Sequence, residues 1–517
     1  PFLLAWPWSL RVRPHESPPR PDGTALPILL SGPIRSTSLD QPVLVVDLDG
    51  TLIHTDMLHE SALKLFRDRP LDTLRIPLWL SRGKAVLKEQ LASRTHVDPK
   101  TLPYNTALLS WLKSQKSEGR RLVLCTASDR SIADGIARHL DLFDEVMASD
   151  GTLNLAGPQK AQALVARFGD KGFDYAGNAE ADLAVWAHAR QAIVVEAPAG
   201  LVQKAAAVST VSQVFERRPT GPSAWRRVLR VHQWLKNLLL FVPLIAAHDV
   251  YNLEAWGALV LAFFSFSLCA SSVYIANDLM DLESDRLHPR KRLRPFASGL
   301  VPAWQGVLLA PFLLLASLGL GLMVGTMFLS WLLFYFSLTC AYSWMLKRLL
   351  LVDCLTLAML YTLRIVSGAA AISQNLSFWL LAFSVFLFLS LAFVKRYAEL
   401  QVHKRASGKV HGRGYQVADA PIIQAMGIVA GYASVLVLAL YVNSDAVITL
   451  YDHPKMIWGA VPVMLFWISW MWMHAHRGEM HDDPLVFAVK DRTSQMAALA
   501  FALVLAVGTG SLGHFPW

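Results

Sequence analysis

The chain has 517 residues, 54% of them hydrophobic and 17% charged, with a mean hydropathy of +0.36 and a formal net charge of +9. That is too apolar for one ordinary soluble protein, yet the apolarity is uneven along the chain, concentrated after about residue 225. No nucleic-acid-binding module is visible, and the four cysteines (Cys125, Cys269, Cys340, Cys354) are unclustered, so neither a disulfide framework nor a zinc site is suggested.

Taken in chain order, Phe2 to Leu10 is apolar but too short to span a bilayer, and Arg11 to Pro33 is rich in Pro and Arg, so residues 1–40 read as a disordered tail. Val43 to Val46 is a buried-strand run ending in Asp47-Leu-Asp49-Gly50-Thr51. It delivers two carboxylates and a glycine turn to the carboxyl edge of a parallel sheet, where α/β proteins put their chemistry. A second strand, Arg121 to Cys125, ends in Thr126. Lys160 opens a helix after Gly157-Pro158, and a third strand near Phe173 to Ala176 ends in Gly177-Asn178-Ala-Glu-Ala-Asp182.

Four short signals in that order make residues 41–200 resemble the haloacid dehalogenase superfamily of phosphatases. The resemblance implies an α/β Rossmann-like domain in which Asp47 is the nucleophile, Asp49 the general acid and base, Lys160 the neutralising cation and Thr126 the hydroxyl that donates a hydrogen bond to the phosphate. It also implies Mg2+ held by Asp47, Asp49, Asn178 and Asp182, because an aspartate attacking an anionic phosphorus needs that charge neutralised. Asn178 stands where the family often has a second aspartate, which removes one negative charge from the metal set. Residues 56 to 100, with Arg67, Arg69, Arg75, Arg82 and Lys84, are expected to form a helical cap.

Residues 201–224, containing Arg217-Arg218-Pro219-Thr-Gly-Pro222, read as a linker, and residues 225–517 as an all-α polytopic membrane domain. Ala255 to Ala276 carries no charge, and Leu300 to Leu346 is charge-free over a length that holds two spans of roughly 20 residues, with Gly319, Gly321 and Gly325 marking the turn. Further apolar stretches at 237–250, 349–371, 377–394, 421–442, 456–474 and 495–514 bring the expectation to about nine transmembrane helices. At the inner end of the second stands Asn277-Asp278-Leu-Met-Asp281-Leu-Glu-Ser-Asp285, followed by Arg286, Arg290, Lys291, Arg292 and Arg294. Acids three and four residues apart share one helix face, so the three aspartates are expected to converge on a divalent cation beside bases that hold phosphate. A positive-inside signal needs only Lys and Arg, and leaves the three acids in register unexplained. One set of loops carries sixteen Lys and Arg, from Arg286 to Arg492, and the alternate loops only Lys455, which predicts that the first set and the N-terminal region face the cytoplasm. The net charge of +9 is thereby read as topology and phosphate handling, with no nucleic-acid partner.

From about 225 onward the chain resembles the UbiA superfamily of intramembrane prenyltransferases, through Gln233-Trp-Leu-Lys236-Asn237, the aspartate string and the loop from Tyr342 through Lys347 to Arg348. The resemblance implies Mg2+ on Asp278, Asp281 and Asp285, a cavity open to lipid, and Lys236 as a diphosphate ligand. Arg364 is expected deep in a helix, meeting a phosphate or a buried acid. Aromatic prenyltransferases of the superfamily carry a second DxxxD motif; the corresponding loop here reads Lys395-Arg396-Tyr397-Ala398-Glu399, followed by Lys404, Arg405, Lys409, His411, Arg413 and Tyr415. Bases in place of acids resemble the polyprenyl-phosphate phosphoribosyltransferases. The expected reaction moves 5-phosphoribose from phosphoribosyl diphosphate to a polyprenyl phosphate at a bacterial-type inner membrane, with the phosphatase-like domain removing the 5-phosphate. Two other readings stand beside it: transfer of a prenyl group from its diphosphate to an aromatic acceptor, and a lipid transporter with a phosphate-sensing domain.

Overall fold

Six short runs form the strands β1 (Val43–Val46), β2 (Leu122–Asp129), β3 (Glu145–Ser149), β4 (Phe173–Gly177), β5 (Gln191–Val195) and β6 (Thr210–Phe215) of a computed structural model. It describes residues 41–150, 153–405, 414–444, 447, 451–480 and 483–509. The tail at 1–40, Lys409, His411 and Arg413, and the side chains of Lys404 and Arg405, lie outside this description.

The strands pair in parallel in the order β3-β2-β1-β4-β5-β6, with Val45 of β1 opposite Val123 on one side and Tyr175 on the other. Alternation along β1 sends Leu44 and Val46 into one core with Leu122, Leu124 and Ile193, and Val45 into a second core with Val123, Cys125, Tyr175 and Trp186. Burial on both faces is why β1 is a continuous apolar run. The strand order reverses between β1 and β4, and the crevice at such a reversal is where an open α/β sheet binds ligand. Asp47 follows β1 and Asn178 follows β4, so the two sides of that crevice carry the two main sequence signals.

The helices Met57–Asp68, Ile76–Ser81 and Lys84–Ala92 make the expected cap, with a small core of Leu65, Trp79, Leu87 and Leu91. The stretch read as a linker is largely structured: the helix Ala199–Val208 and β6 complete the sheet, and Pro222–Val228 opens the helical half. Val211 and Val214 pair β6 with β5, a signal masked in the sequence by the exposed Thr210 before them and Ser212 and Gln213 between them.

In the helical half, seven helices are long and apolar enough to cross a membrane, from Leu253–Met280 to Pro454–Arg477, or eight if the pair Pro222–Val228 and Val231–Ala246, bent by 56°, counts as one span. The expected nine are therefore not reached: Arg492–Gly508 is too short to count among the described residues, and the first span is broken into a 3-10 segment, Val231–Phe241, and a short helix, Val242–Ala246. The protein is a multi-pass membrane protein. Gly319 and Gly321 lie inside the helix Ala303–Val324, and only Gly325, at φ 147°, makes the turn to Thr326–Trp344. Those two helices expose Leu308 and Phe312 on the first and Leu333 and Phe334 on the second, a lipid-facing surface, whereas Leu253–Met280 and Val352–Ala371 are mostly buried. The broken segment lies directly on Val352–Ala371: a Cβ on Gly368 would stand 2.0 Å from the Leu240 carbonyl oxygen, so only glycine admits the contact. That approach brings Lys236 and Asn237 beside Arg364.

Candidate functional site

Two polar sites are built into the chain, one in each half. In the soluble half Asp47 leaves the end of β1 with 7% of its surface exposed. Lys160 Nζ donates to Asp47 Oδ1 (2.7 Å) and to the Tyr175 hydroxyl (2.9 Å), which in turn donates to Asp182 Oδ1 (2.8 Å). Asp182 Oδ2 accepts from the backbone N–H groups of Asn178 and Ala179, both at 2.9 Å. Asp182, expected as a metal ligand, is thus an anchor for the turn after β4 and for the Lys160–Tyr175 chain. The other expected ligand, Asn178, turns its amide oxygen to Thr51 (3.3 Å) and packs over Gly50, where φ is +74° and a Cβ would meet the amide at 2.1 Å. Asp49 Oδ1 accepts from Met57 N (2.8 Å), at the start of the cap, and Asp49 Oδ2 accepts from Ser128 Oγ (2.7 Å), with the Thr126 hydroxyl at 3.4 Å.

Burial pushes the Asp47 carboxyl up to about 6, with Lys160 opposing and Asp182 adding to the shift. Asp49 is pushed up to about 7 by burial, then by the negative charges of Asp56 and Asp47. A carboxylic acid that keeps its proton near neutrality is suited to protonate a leaving alkoxide, and one that loses it just below is suited to attack. The uncompensated acidity at the crevice also fits a divalent cation beside Asp47 and Asn178.

In the membrane half the spacing argument assumed an unbroken helix, and the helix breaks. Leu253–Met280 ends at Asp281, whose φ of −94° and ψ of 10° hand over to a separate short helix, Leu282–Leu287. Asp278 and Asp285 meet through Arg294, whose Nη1 bonds both; Asp281 is turned toward Lys347, 3.9 Å away. Among the described residues no three His, Cys, Asp or Glu side chains stand close enough to enclose an ion, so the expected convergence of three aspartates is corrected to a pair. Asp285 Oδ1 is buried without a hydrogen bond, with the Lys291 ammonium 3.7 Å off. A buried carboxylate oxygen lacking a donor fits a cation held between Asp278 and Asp285. Arg230 also pairs with Asp278 and lies over the Tyr274 ring at 4.9 Å, and Asn277 donates to Ser343 Oγ (2.9 Å).

The expected phosphate ligands scatter. Arg286 does not face the aspartates: it makes a double bond pair with Glu60 of the cap and donates to the Ala297 carbonyl (3.1 Å). Arg292 is exposed, and Tyr342 packs at the edge of an apolar core. Arg396 is locked in a buried ion pair with Asp353 and a second with Glu399, beneath the Tyr415 ring, so both it and Glu399 are structural. Arg364 meets no acid among the described residues; its guanidinium donates to Asn237 Oδ1 (2.9 Å), the Tyr335 hydroxyl (3.0 Å) and the Leu360 carbonyl.

Lys236 and Lys395, 159 positions apart by their residue numbers, do come together, on the carboxylate of Asp483: 2.7 Å and 3.2 Å, with the Tyr361 hydroxyl donating at 3.0 Å. Burial acts to raise the Asp483 carboxyl, but the two ammoniums outweigh it and hold it well below the usual carboxylate range. Asp483 was not singled out from sequence, nor were Arg230, Tyr175, Ser128 and Lys88. Lys88, on the cap helix Lys84–Ala92, donates to the Ala127 carbonyl (2.6 Å) and Asn154 Oδ1 (3.2 Å), which leans its charge over the phosphatase-like site. Arg230 carried a readable signal, since it precedes the Gln233-Trp-Leu-Lys236-Asn237 motif by three residues; Asp483, the second of two adjacent aspartates before Pro484, gave no sign of the two lysines it meets.

Residues 238–483 match the UbiA prenyltransferase family. The uncharacterized protein y4nM of Sinorhizobium fredii is 37% identical over 470 residues, 90% of this chain and 91% of the relative, so the two-part arrangement is shared. Nodulation protein NoeC of Azorhizobium caulinodans is 38% identical over 285 residues, 53% of this chain and 90% of its own length. Decaprenyl-phosphate phosphoribosyltransferase of Mycolicibacterium smegmatis is 31% identical over 303 residues, 55% of this chain and 94% of its own.

Proposed function

We propose, from the premise that this chain belongs to the UbiA prenyltransferase family, that its membrane half transfers 5-phosphoribose from phosphoribosyl diphosphate to a polyprenyl phosphate, and that its soluble half removes the 5-phosphate. The observation that carries the reading is the pair Lys236 and Lys395 meeting at Asp483, with Lys395 in the loop where the resemblance to aromatic prenyltransferases would call for a second acidic motif. The similarity to a decaprenyl-phosphate phosphoribosyltransferase supports it.

Asp278 and Asp285 would hold Mg2+, which supplies charge neutralisation for the diphosphate. Arg230, Arg294, Lys291 and Lys347 would bind diphosphate oxygens around them, and Lys236 and Lys395 the donor's 5-phosphate. An oxygen of the polyprenyl phosphate attacks the anomeric carbon as the bond from that carbon to the diphosphate breaks, and pyrophosphate leaves. The lipid-phosphate ribose then carries a 5-phosphate monoester.

In the soluble half Asp47 attacks the phosphorus of that monoester, Asp49 protonates the leaving ribose oxygen, and Lys160 holds the charge of the phosphoryl group. Asp49 then takes a proton from the water that cleaves the aspartyl phosphate, so that inorganic phosphate leaves, Asp47 returns to its carboxylate and Asp49 is again protonated. Mg2+ at Asp47 and Asn178 would neutralise phosphoryl charge there as well. The distribution of Lys and Arg over the loops supports both sites facing the cytoplasm of a bacterial-type inner membrane.

The test is mass spectrometry of lipid products after incubating the detergent-purified protein with Mg2+, phosphoribosyl diphosphate and a polyprenyl phosphate, beside Asp47→Asn. The parent should yield a dephosphorylated ribosyl lipid and the variant its 5-phosphate. No ribosyl lipid from either, with turnover of a prenyl diphosphate and an aromatic acceptor instead, overturns the transferase assignment.

A further inference from the structure

The segment that follows the aspartate string is gripped by the soluble half at three places. Glu283 accepts from Lys64 Nζ (2.6 Å) and Arg67 Nη2 (2.9 Å) of the cap helix Met57–Asp68. Arg286 is held by both oxygens of Glu60 (2.6 and 3.1 Å), in a pair whose side chains are 6% and 7% exposed. Arg218, itself paired with Glu196 (3.0 Å), donates to the Ser298 carbonyl (3.0 Å), and Gly299 sits against His54 so closely that a Cβ would fall 2.6 Å from it. Leu63 of the same cap helix packs with Leu279, Leu282 and Phe296.

Exposed ion pairs between two domains contribute little and are common. This one is different in kind, because the Glu60 and Arg286 side chains are buried and bonded further: Glu60 also accepts from Thr55 Oγ1 (2.7 Å), and Arg286 Nε donates to the Ala297 carbonyl. Arg286 adjoins Asp285, and through Ala297 it ties the start of the segment to its end. Arg294 lies between, and its return to Asp278 and Asp285 is what assembles the aspartate pair. Without Glu60 a buried guanidinium beside Asp285 loses its counterion and becomes a competitor of Arg294 for the Asp285 carboxylate.

We propose that Glu60 is a positioning residue for the membrane site: acting through Arg286, it fixes residues 283–299 so that Asp285 and Arg294 face Asp278. The soluble half then serves the membrane reaction as a scaffold, separately from any chemistry at Asp47. This goes beyond the reading above and holds for any diphosphate donor.

The test uses the full chain in detergent, with hydrogen exchange of peptides covering 283–299 read by mass spectrometry, and in parallel the Mg2+ concentration that half-saturates product formation. Glu60→Gln should speed exchange of those amides at least tenfold while peptides of β1 and β4 keep their protection, and should raise the Mg2+ requirement about tenfold. The exchanged pair Glu60→Arg with Arg286→Glu should recover most of the protection. Unchanged exchange in Glu60→Gln, equal loss of protection in β1 and β4, or no recovery in the exchanged pair each overturns the proposal. The exchange readout needs no substrate, so a failure of the phosphoribosyl reading leaves it standing, and the reverse.

Discussion

Replacing Lys160 with methionine removes the one cation bonded to Asp47 while keeping the length and apolar stem of the side chain. The ammonium lies 2.7 Å from Asp47 Oδ1 and is 4% exposed, so solvent screening is slight. With an effective dielectric of about 20 the bare attraction is about 6 kcal/mol, of which opposite charges typically express about 1–3 pKa units. The Asp47 carboxyl, at about 6 with Lys160 in place, should then titrate roughly 1–3 units higher. At pH 7 its ionised fraction falls from about 90% to between about 50% and 1%. Ionisation alone therefore lowers turnover about two- to ninetyfold, and the lost neutralisation of phosphoryl charge adds roughly another hundredfold. Stability suffers less than for most broken buried pairs, because the abandoned carboxylate protonates instead of staying charged. The assay is the pH profile for p-nitrophenyl phosphate, whose good leaving group does not need Asp49 as an acid, so the limb that rises with pH reports the nucleophile. Lys160→Met should move that limb up by at least one unit and lower the plateau. An unmoved limb with more than a tenth of the activity retained refutes the reasoning and makes Lys160 a structural partner only.

Asp285→Asn should abolish lipid product by about three orders of magnitude or more, whereas Asp281→Asn, at a side chain turned to Lys347, should lose about tenfold at most; equal losses would show that all three acids act as one set. Asp483→Asn leaves two lysines sharing no carboxylate, which should cost about 3–5 kcal/mol and lower the thermal midpoint, with more of the loss recovered by added pyrophosphate than in the parent. Gly368→Val should prevent folding of the membrane half, since its side chain would have to displace the Leu240 backbone; a normal yield of monodisperse protein would contradict the packing. Because the folded values of Asp47 and Asp49 are raised to about 6 and about 7, the stability they contribute is fully present below pH ~4 and is lost as pH rises through those values. Metal-free protein should therefore lose on the order of 3 kcal/mol of soluble-half stability between pH 5 and 8, and Asp49→Asn should flatten that dependence in calorimetry.

What could be read from the residues alone followed local order. β1 with Asp47-Leu-Asp49-Gly50-Thr51, the cap and the Lys160 helix were legible because each is a strand or helix signal with its chemistry attached at the end. β6 was not, because its exposed polar positions imitate a linker and only pairing with β5 makes it a strand. The aspartate string was legible as a cluster and wrong in detail: period 3.6 puts residues 278, 281 and 285 on one face only while the helix continues, and nothing in the sequence marks the break at Asp281. The basic loop was read by counting charges, which cannot say that Arg396 is already taken by Asp353, an acid 43 positions earlier by residue number that looks like a helix-start residue until the two helices pack.

The same limit explains why Asp483 matters more than its place in the sequence suggests. A membrane interior charges heavily for a lone ion, so three of the basic seats here carry an acid, Arg294 with Asp278 and Asp285, Lys236 and Lys395 with Asp483, and Arg396 with Asp353, while Arg364 is held by neutral acceptors. A phosphate arriving at any of them exchanges one anion for another, so its affinity is a difference between two large attractions. Two of these seats can make that exchange readily. Arg294 is 30% exposed and Lys395 31%, so each retains a path to a ligand from outside, while Arg396 at 1% and Asp353 at 0% have none. Exposure of the base, together with an acid that can move, therefore separates the ligand seats from the structural pair, a distinction that charge counts along the loop leave invisible. The binding proposed at Arg294 and at Lys395 with Lys236 rests on that distinction, while Arg396 holds the loop return at Tyr415, whose hydroxyl also bonds Asp353.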